Sequence, residues 1–170
     1  IYPKMATQPI SEDSLLTGPL EPTNSAYAVA KIAGIELIKS YRKQFQRSWI
    51  SVMPTNLYGP NDNFDLNSSH VLPALIRKFD DAIKSQAHVT LWGTGLPKRE
   101  FLHVDDLAQA VLLLLEKYDG DNHINVGSGE EVTIEQLANL IAELTGYQGE
   151  IQWDHSKPDG NPRKFLDSSK

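Results

Sequence analysis

Residues 25–60, SAYAVAKIAGIELIKSYRKQFQRSWISVMPTNLYGP, contain the pattern that decides the fold. Apolar residues are dense from Ser25 to Phe45 and no proline interrupts them, which predicts one long and largely buried helix. The β-branched and aromatic run from Trp49 to Met53 predicts a short strand, which Pro54 and the turn residues after it would end. A long helix that leads into a short strand is typical of an α/β protein.

The rest of the chain repeats this alternation of helices and short strands. The spacing of apolar residues predicts helices over 70–83 and 107–115, the second of them buried. A capping box at Thr133–Gln136 predicts a further helix that runs to about Leu144. Strands are predicted at 89–92, 124–126 and 151–153. We therefore expect an α/β fold with at least part of a parallel sheet.

The composition of the chain disfavours several kinds of binding partner and cellular location. With 170 residues, 40% of them hydrophobic, the chain can close one sizeable core. A net charge of −6 without any run of five like charges disfavours nucleic acids and anionic membranes as partners. The absence of cysteine excludes a disulfide scaffold and a cysteine nucleophile within these residues. No apolar run approaches the roughly 18 residues of a membrane span, so we expect a soluble, cytoplasmic protein. Ile1 is not an initiator methionine, and the chain looks truncated.

Tyr27 and Lys31 form the first candidate for chemistry. They are four residues apart on the predicted helix, so the phenol and the ammonium project from the same face. An ammonium next to a phenol stabilises the phenolate, which suits proton transfer during hydride chemistry at a carbonyl. The alternative is a surface tyrosine and a solvated lysine, because the Y-x-x-x-K spacing often occurs by chance.

A family resemblance gives this pair its context. PTNSAYAVAK at residues 22–31 is followed by SVMPTNLYGP at 51–60. These segments resemble the extended short-chain dehydrogenase/reductase family, also named the NAD-dependent epimerase/dehydratase family. Four further segments resemble the branch of that family that epimerises and reduces a GDP-sugar. They are NSSHVLPAL at 67–75, WGTG at 92–95, REFLHVDD at 99–106 and SKPDGNPRK at 156–164.

The resemblance implies a division into domains. Residues 1–60 would be the C-terminal part of an NADP-binding Rossmann domain, which is a doubly wound parallel sheet. Residues 61–170 would be mainly a smaller α/β substrate-binding domain, with some segments returning to the Rossmann sheet. The glycine-rich half that seats the cofactor pyrophosphate would be absent, since no G-x-G-x-x-G occurs in the chain. A serine and a cysteine of the family's chemistry would precede Tyr2-Pro3-Lys4.

The resemblance also implies a reaction and its residues. GDP-4-keto-6-deoxy-D-mannose would be epimerised at C3 and C5 and then reduced at C4 with NADPH. Tyr27 would be the acid/base, Lys31 its electrostatic partner, and His70 the proton donor of the epimerisations. The alternative for His70 is a residue at the start of a helix without chemistry. The cofactor contacts would be Tyr27, Lys31, Pro54, Thr55, Asn56, Leu57 and His70. The chain alone would have little or no turnover.

Four residues match the positions at which the family binds its nucleotide-sugar substrate. They are Lys78, Trp92, Arg99 and Asp159, and the cations among them suit a diphosphate. Each has an ordinary alternative. Lys78 would be a solvated helix residue and Trp92 a core aromatic, Arg99 would pair with an acid at 105 or 106, and Asp159 would belong to a turn.

Two other groups of residues are interpreted without chemistry. Gly127-Ser128-Gly129 lacks the third glycine of a dinucleotide fingerprint and is read as a turn. His103, Asp105 and Asp106 are read as the start of a helix, and no metal is predicted. The resemblance implies a homodimer that packs through the Tyr27 helix.

Two other functions stay open at this point. One is a related epimerase or dehydratase that acts on a UDP- or dTDP-sugar. The other is a non-catalytic remnant that binds a nucleotide-sugar or a partner subunit.

Overall fold

The computed structural model describes all residues from 1 to 170 and has the predicted α/β architecture. Two single turns of 3₁₀ helix, Glu12–Ser14 and Pro22–Asn24, precede the long helix. The α-helices are α1 (Ser25–Phe45), α2 (Val71–Ser85), α3 (Val104–Lys117) and α4 (Ile134–Thr145). The strands are β1 (Val52–Pro54), β2 (Asn56–Tyr58), β3 (Val89–Trp92), β4 (Lys98–His103), β5 (Ile124–Val126), β6 (Glu131–Thr133), β7 (Ile151–Asp154) and β8 (Arg163–Lys164). None of these helices combines the length and the apolar character that crossing a bilayer requires.

The chain divides into two compact units, and each takes in segments that are distant in sequence. The first unit comprises Ile1–Leu57, Glu100–Glu130 and Lys164–Lys170. The second unit comprises Tyr58–Arg99 and Glu131–Arg163.

The first unit contains a parallel strand pair. β1 lies beside β5, with Val52 opposite Ile124 and Pro54 opposite Val126. The backbone N–H of Thr55 donates to the Val126 carbonyl at 2.9 Å, which extends the pairing by one residue. The prediction of parallel strands is confirmed here. The carboxyl end of such a strand is where open α/β sheets bind ligands.

The helices of the first unit are less buried than their composition predicts. In α1 only Ala28, Ile32 and Ile35 are buried, and their spacing of four and three residues makes one narrow stripe. α3 has no buried residue at all, and three of its leucines are more than half exposed. The prediction of two buried helices is therefore wrong. Apolar residues on a helix show that its face favours burial, but they do not show that another segment of residues 1–170 packs against that face.

The second unit has its own core between α2 and α4. Phe79 of α2 is fully buried and meets the ring of Tyr147 edge to face, with 5.2 Å between the centroids. The Tyr147 hydroxyl donates to the carbonyls of Ala87 and Glu150, each at 3.0 Å. These carbonyls precede β3 and β7, which pair in parallel from Val89–Ile151 to Trp92–Asp154.

The start of α4 is capped by side chains as the sequence predicts. The Thr133 hydroxyl accepts from the Gln136 N–H at 3.0 Å, and the Gln136 side chain accepts from the Thr133 N–H at 2.9 Å. The predicted capping box is therefore confirmed. The strand predicted from Trp49 instead begins at Val52, and Trp49 stacks on Tyr41 with 5.3 Å between the centroids.

A buried polar network ties the N-terminal segment to β5. The Tyr2 hydroxyl lies 2.8 Å from His123 Nε2 and donates to the side-chain oxygen of Asn125. The Asn125 N–H donates to the Glu12 carboxylate at 3.0 Å, and its side-chain amide donates to the Ile10 carbonyl at 2.9 Å. Because all these groups are buried, the network aligns the first dozen residues with the strand pair.

Acidification is expected to destabilise the first unit through His123. Burial lowers the pKa of His123, Glu12 and Asp13 oppose this shift, and Lys39 and Lys170 reinforce it. An unfolded histidine titrates at about 6.5, so the unfolded chain takes the proton first as the pH falls. The free energy of unfolding therefore drops from that pH down through the folded pKa, and is unaffected by this group above it.

Urea denaturation at about pH 7.5 and about pH 5.5 measures this effect. His123→Gln should lose part of the pH dependence, whereas His88→Gln, at an exposed position, should retain all of it. Equal pH dependence in the two variants would contradict the assignment.

Candidate functional site

Tyr27 and Lys31 lie together on one face of α1. The Lys31 ammonium is 5.5 Å from the centroid of the Tyr27 ring, within the range of a cation–π contact. Both side chains are exposed, and the tyrosine keeps 55% of its surface open. The phenol hydroxyl and the ammonium are therefore available to the same ligand.

Residues 54–57 run from the last residue of β1 into β2 and are half-buried. The Asn56 side-chain amide donates to the carbonyl of Glu100 at 2.7 Å, and the Thr55 hydroxyl donates to the same oxygen at 3.3 Å. With the Thr55 N–H held by Val126, the backbone and side chains of this segment have fixed positions. Such fixed polar groups at a strand end suit a cofactor site.

Glu100 was missed by sequence reasoning, although it organises this region. Its side chain is fully buried, and its two carboxylate oxygens accept from the N–H groups of Gly129 at 2.9 Å and Leu166 at 3.2 Å. A Cβ at Gly127 would lie 2.9 Å from the carboxylate carbon. Gly127 therefore leaves room for the buried carboxylate, and the Gly129 N–H donates to it. Both roles agree with the reading of this segment as a turn. The available signal was the two-residue alternation that places Glu100 on the same face of β4 as Leu102.

His70 is the N-cap residue of α2. Its carbonyl accepts from the Ala74 N–H at 3.0 Å, while its imidazole makes no capping hydrogen bond and is exposed. The structure therefore places His70 at the start of a helix, where the ordinary alternative had it, and leaves its ring exposed.

Trp92 is the centre of a cationic cluster in the second unit. The ring lies at the carboxyl end of β3 and is 64% exposed, so the core-aromatic alternative is wrong. The ammonium groups of Lys78 and Lys157 lie 5.7 Å and 5.6 Å from its centroid. Lys78 also donates to the Thr90 carbonyl at 2.8 Å, and burial lowers the pKa of this lysine. Lys78 is thus held in place and is not a freely solvated residue.

Asp159 is fixed beside the same strand end. Its carboxylate accepts from the N–H of Thr94 at 2.6 Å and from the Thr94 hydroxyl at 2.8 Å. These two bonds lower the pKa of Asp159, so its carboxylate stays ionised at neutral pH. Gly93 allows this approach, since a Cβ there would collide with the carboxylate. The following residue, Gly160, has a positive φ of 75°, which agrees with the turn interpretation.

Arg99 lies near Gly160, the residue after Asp159. One of its terminal nitrogens donates to the carbonyl of Lys98 at 2.8 Å, and another would lie 3.7 Å from a Cβ on Gly160. Burial lowers the pKa of Arg99, although a guanidinium remains protonated at neutral pH. The ion pairs of the second unit join Arg77 to Asp81, Lys84 to Asp80, and both Lys98 and Arg163 to Glu131.

The cations near Trp92 and Asp159 therefore form no ion pair with an acid of the second unit. Lys78 and Arg99 belong to none of those ion pairs, and both are partly buried. Partly buried cations without carboxylate partners favour an anionic ligand such as a phosphate. The structure places Lys78 against the Trp92 ring, Asp159 against Gly93, and Arg99 near Gly160. That these residues bind one substrate stays a prediction.

The histidine that ends β4 and the two acids after it have a different role. His103 is the N-cap of α3, and its Nδ1 accepts from the Asp105 N–H at 3.2 Å. Asp105 and Asp106 occupy the first turn of the same helix, where carboxylates are favourable for the helix dipole. The helix-start interpretation is confirmed.

The sequence of the chain matches that of a known protein family. Residues 1–127 match the model of the NAD dependent epimerase/dehydratase family, and the chain belongs to that family. The chain is 59% identical, over all of its length, to GDP-L-fucose synthase 1 of Arabidopsis thaliana, and it covers 53% of that protein. It is 53% identical to the GDP-L-fucose synthase of Escherichia coli strain K12, over 98% of this chain and 55% of the relative.

A solved structure has the same fold. The GDP-L-fucose synthetase of Naegleria fowleri, crystallised with NADP bound, superposes with a TM-score of 0.93 at 32% identity. The superposition covers 99% of this chain and 55% of that structure. The chain therefore spans about half the length of the relatives that it matches.

Proposed function

We propose that this chain forms the substrate-binding part and some of the catalytic machinery of a GDP-L-fucose synthase. That enzyme is an NADP(H)-dependent epimerase/reductase that converts GDP-4-keto-6-deoxy-D-mannose to GDP-L-fucose. The observation that carries the proposal is the position of Lys78 against the exposed Trp92 ring, with the ionised Asp159 on the loop that packs on Gly93. Arg99 lies near Gly160, the residue after Asp159, and neither cation has an ion pair.

Each residue of the cluster has a role that its environment supports. The Arg99 guanidinium, with one nitrogen on a backbone carbonyl, retains donors for two diphosphate oxygens. Lys78 adds a second positive charge from α2. Asp159 is held by Thr94 but keeps lone pairs for a hydroxyl of the ribose or the sugar.

The cofactor fits the residues of the first unit. Lys31 presents an exposed ammonium beside Tyr27, which can hold ribose hydroxyls, and Pro54–Leu57 supplies fixed groups at a strand end. NADPH, when bound, supplies the hydride that reaches C4 of the sugar. Tyr27 gives its proton to the C4 oxygen, so the ketone becomes an alcohol, and Lys31 stabilises the phenolate that remains.

His70 serves the epimerisations. The hydrogens at C3 and C5 are acidic because both carbons flank the C4 ketone. A base outside these residues would take the proton from each carbon and release it to solvent. The exposed imidazole of His70 would give a proton to the opposite face, which inverts the centre, and would regain a proton from solvent before the second epimerisation.

The proposal also assigns a domain to each unit and an oligomeric state to the protein. The first unit belongs to the cofactor-binding domain and the second to the substrate-binding domain. The assembled protein is a homodimer that packs through α1, on which Val29 and Leu37 are each 57% exposed.

Calorimetric titration with GDP, UDP and dTDP tests the substrate class. We expect selective GDP binding, which Arg99→Ala weakens by roughly 10- to 100-fold, because a charge-assisted hydrogen bond contributes about 1.5–3 kcal/mol. Arg77→Ala is the matched control, since Arg77 lies on α2 of the same unit and is already paired with Asp81 at 2.8 Å. Equal affinity for the three nucleotides would favour a different sugar-nucleotide enzyme. No binding by the folded chain would contradict the assignment of the cluster.

A further inference from the structure

We infer that Lys157 is a further substrate-binding residue, which forms a phosphate subsite with Lys78 at the Trp92 ring. The inference rests on the proposed function, which assigns a nucleoside diphosphate group to this cluster. It adds a residue that sequence reasoning did not single out, although Lys157 lies two positions before Asp159.

The backbone holds Lys157 close to Trp92. Trp92 and Asp154 are paired at the ends of β3 and β7. The Asp154 carboxylate accepts from the N–H of Ser156 at 3.0 Å and from its hydroxyl at 2.6 Å, which turns the chain directly after the strand. The Lys157 N–H then donates back to the Asp154 carbonyl at 3.2 Å. This turn carries the ammonium of Lys157 to 5.6 Å from the Trp92 centroid.

The charges around the ring are unbalanced. The ammonium groups of Lys78 and Lys157 lie within 5.7 Å and 5.6 Å of the same ring centroid, and the ion pairs of the second unit include neither. The Asp154 carboxylate is engaged by Ser156, whose hydrogen bonds are the main cause of its lowered pKa, and the charge of Lys157 adds to this lowering. A cation–π contact at an exposed site contributes only about 0.5–1 kcal/mol, so the ring alone does not balance the two charges.

An anion at the ring would balance these positive charges. A diphosphate carries several oxygens that can accept from lysine ammonium groups, and lysine binds phosphate as a point charge without strict geometry. A purine stacked on the ring would instead have to displace a lysine from the face that it covers. The chemistry at Trp92 therefore fits the phosphates of a nucleoside diphosphate, with Asp159 left for hydroxyl groups.

The test is calorimetric titration of the wild-type chain, Lys157→Met and Lys157→Arg with GDP, UDP and inorganic pyrophosphate. We expect Lys157→Met to weaken binding of all three probes by about tenfold, because it removes one charge-assisted contact to phosphate. Lys157→Arg should restore affinity to within about threefold, since it keeps the charge. Lys84→Met is the control, because Lys84 belongs to the same unit and pairs with Asp80 on the surface. Thermal unfolding of each variant shows whether the fold is intact.

The outcomes separate this inference from the proposed function. If GDP binds selectively and Lys157→Met binds it like the wild type and Lys84→Met, the inference is overturned and the proposed function stands. If all nucleotides bind equally but Lys157→Met weakens them and pyrophosphate alike, the subsite stands and the GDP-sugar assignment fails. A loss in Lys157→Met that arginine does not restore, together with a lower melting temperature, would mean a structural role and would overturn the inference.

Discussion

Phe79→Ala is expected to lower the free energy of unfolding of the second unit by about 3–5 kcal/mol, since it removes a fully buried aromatic side chain. Phe79 has no exposed surface and packs edge to face on Tyr147. The cavity would also loosen Tyr147, whose hydroxyl holds the carbonyls that precede β3 and β7. These two strands carry Trp92 and the turn to Lys157, so we expect nucleotide binding to weaken along with stability.

Urea denaturation followed by circular dichroism measures this loss. Leu144→Ala is the matched control, because Leu144 on α4 is 77% exposed and should change the free energy of unfolding by less than about 0.5 kcal/mol. Equal effects of the two substitutions would show that Phe79 does not belong to the core between α2 and α4.

Gly127→Ala is expected to lower the free energy of unfolding by about 2–4 kcal/mol, which combines overpacking with disturbed hydrogen bonds to a buried carboxylate. The new methyl group would lie 2.9 Å from the carboxylate carbon of Glu100 and closer still to one oxygen. Glu100 would have to move, and it would then lose the N–H donors of Gly129 and Leu166. The loss is large because a buried carboxylate without donors is costly.

A second glycine in the same unit provides the control for this substitution. Gly34 lies in α1, and a methyl group added there would meet nothing within 4 Å outside the backbone of its own helix. Gly34→Ala should therefore stabilise the helix by roughly 0.5–1 kcal/mol. Chemical denaturation of both variants gives the comparison. If Gly127→Ala were as well tolerated as Gly34→Ala, the close packing of the turn against Glu100 would be refuted.

The candidate site shows which features local sequence can reveal. Tyr27 and Lys31 meet because a helix places residues four apart on one face, and this rule needs no tertiary information. Trp92 was open to a core interpretation because an aromatic side chain in a short strand is compatible with burial or exposure. Only the packed structure shows it exposed and flanked by two lysines.

By itself the sequence determined the features that depend on neighbouring residues. These are the presence of the four α-helices, the bounds of α1, the capping box of α4, an α/β pattern with at least part of a parallel sheet, and membership of the epimerase/dehydratase family. Tertiary structure alone decided the short strands β2, β4, β6 and β8, the exposure of α3, the burial of Glu100 and the meeting of Lys157 with Trp92. The physical reason is that periodicity and capping act over a few residues, whereas burial and charge clusters arise when segments distant in sequence pack together.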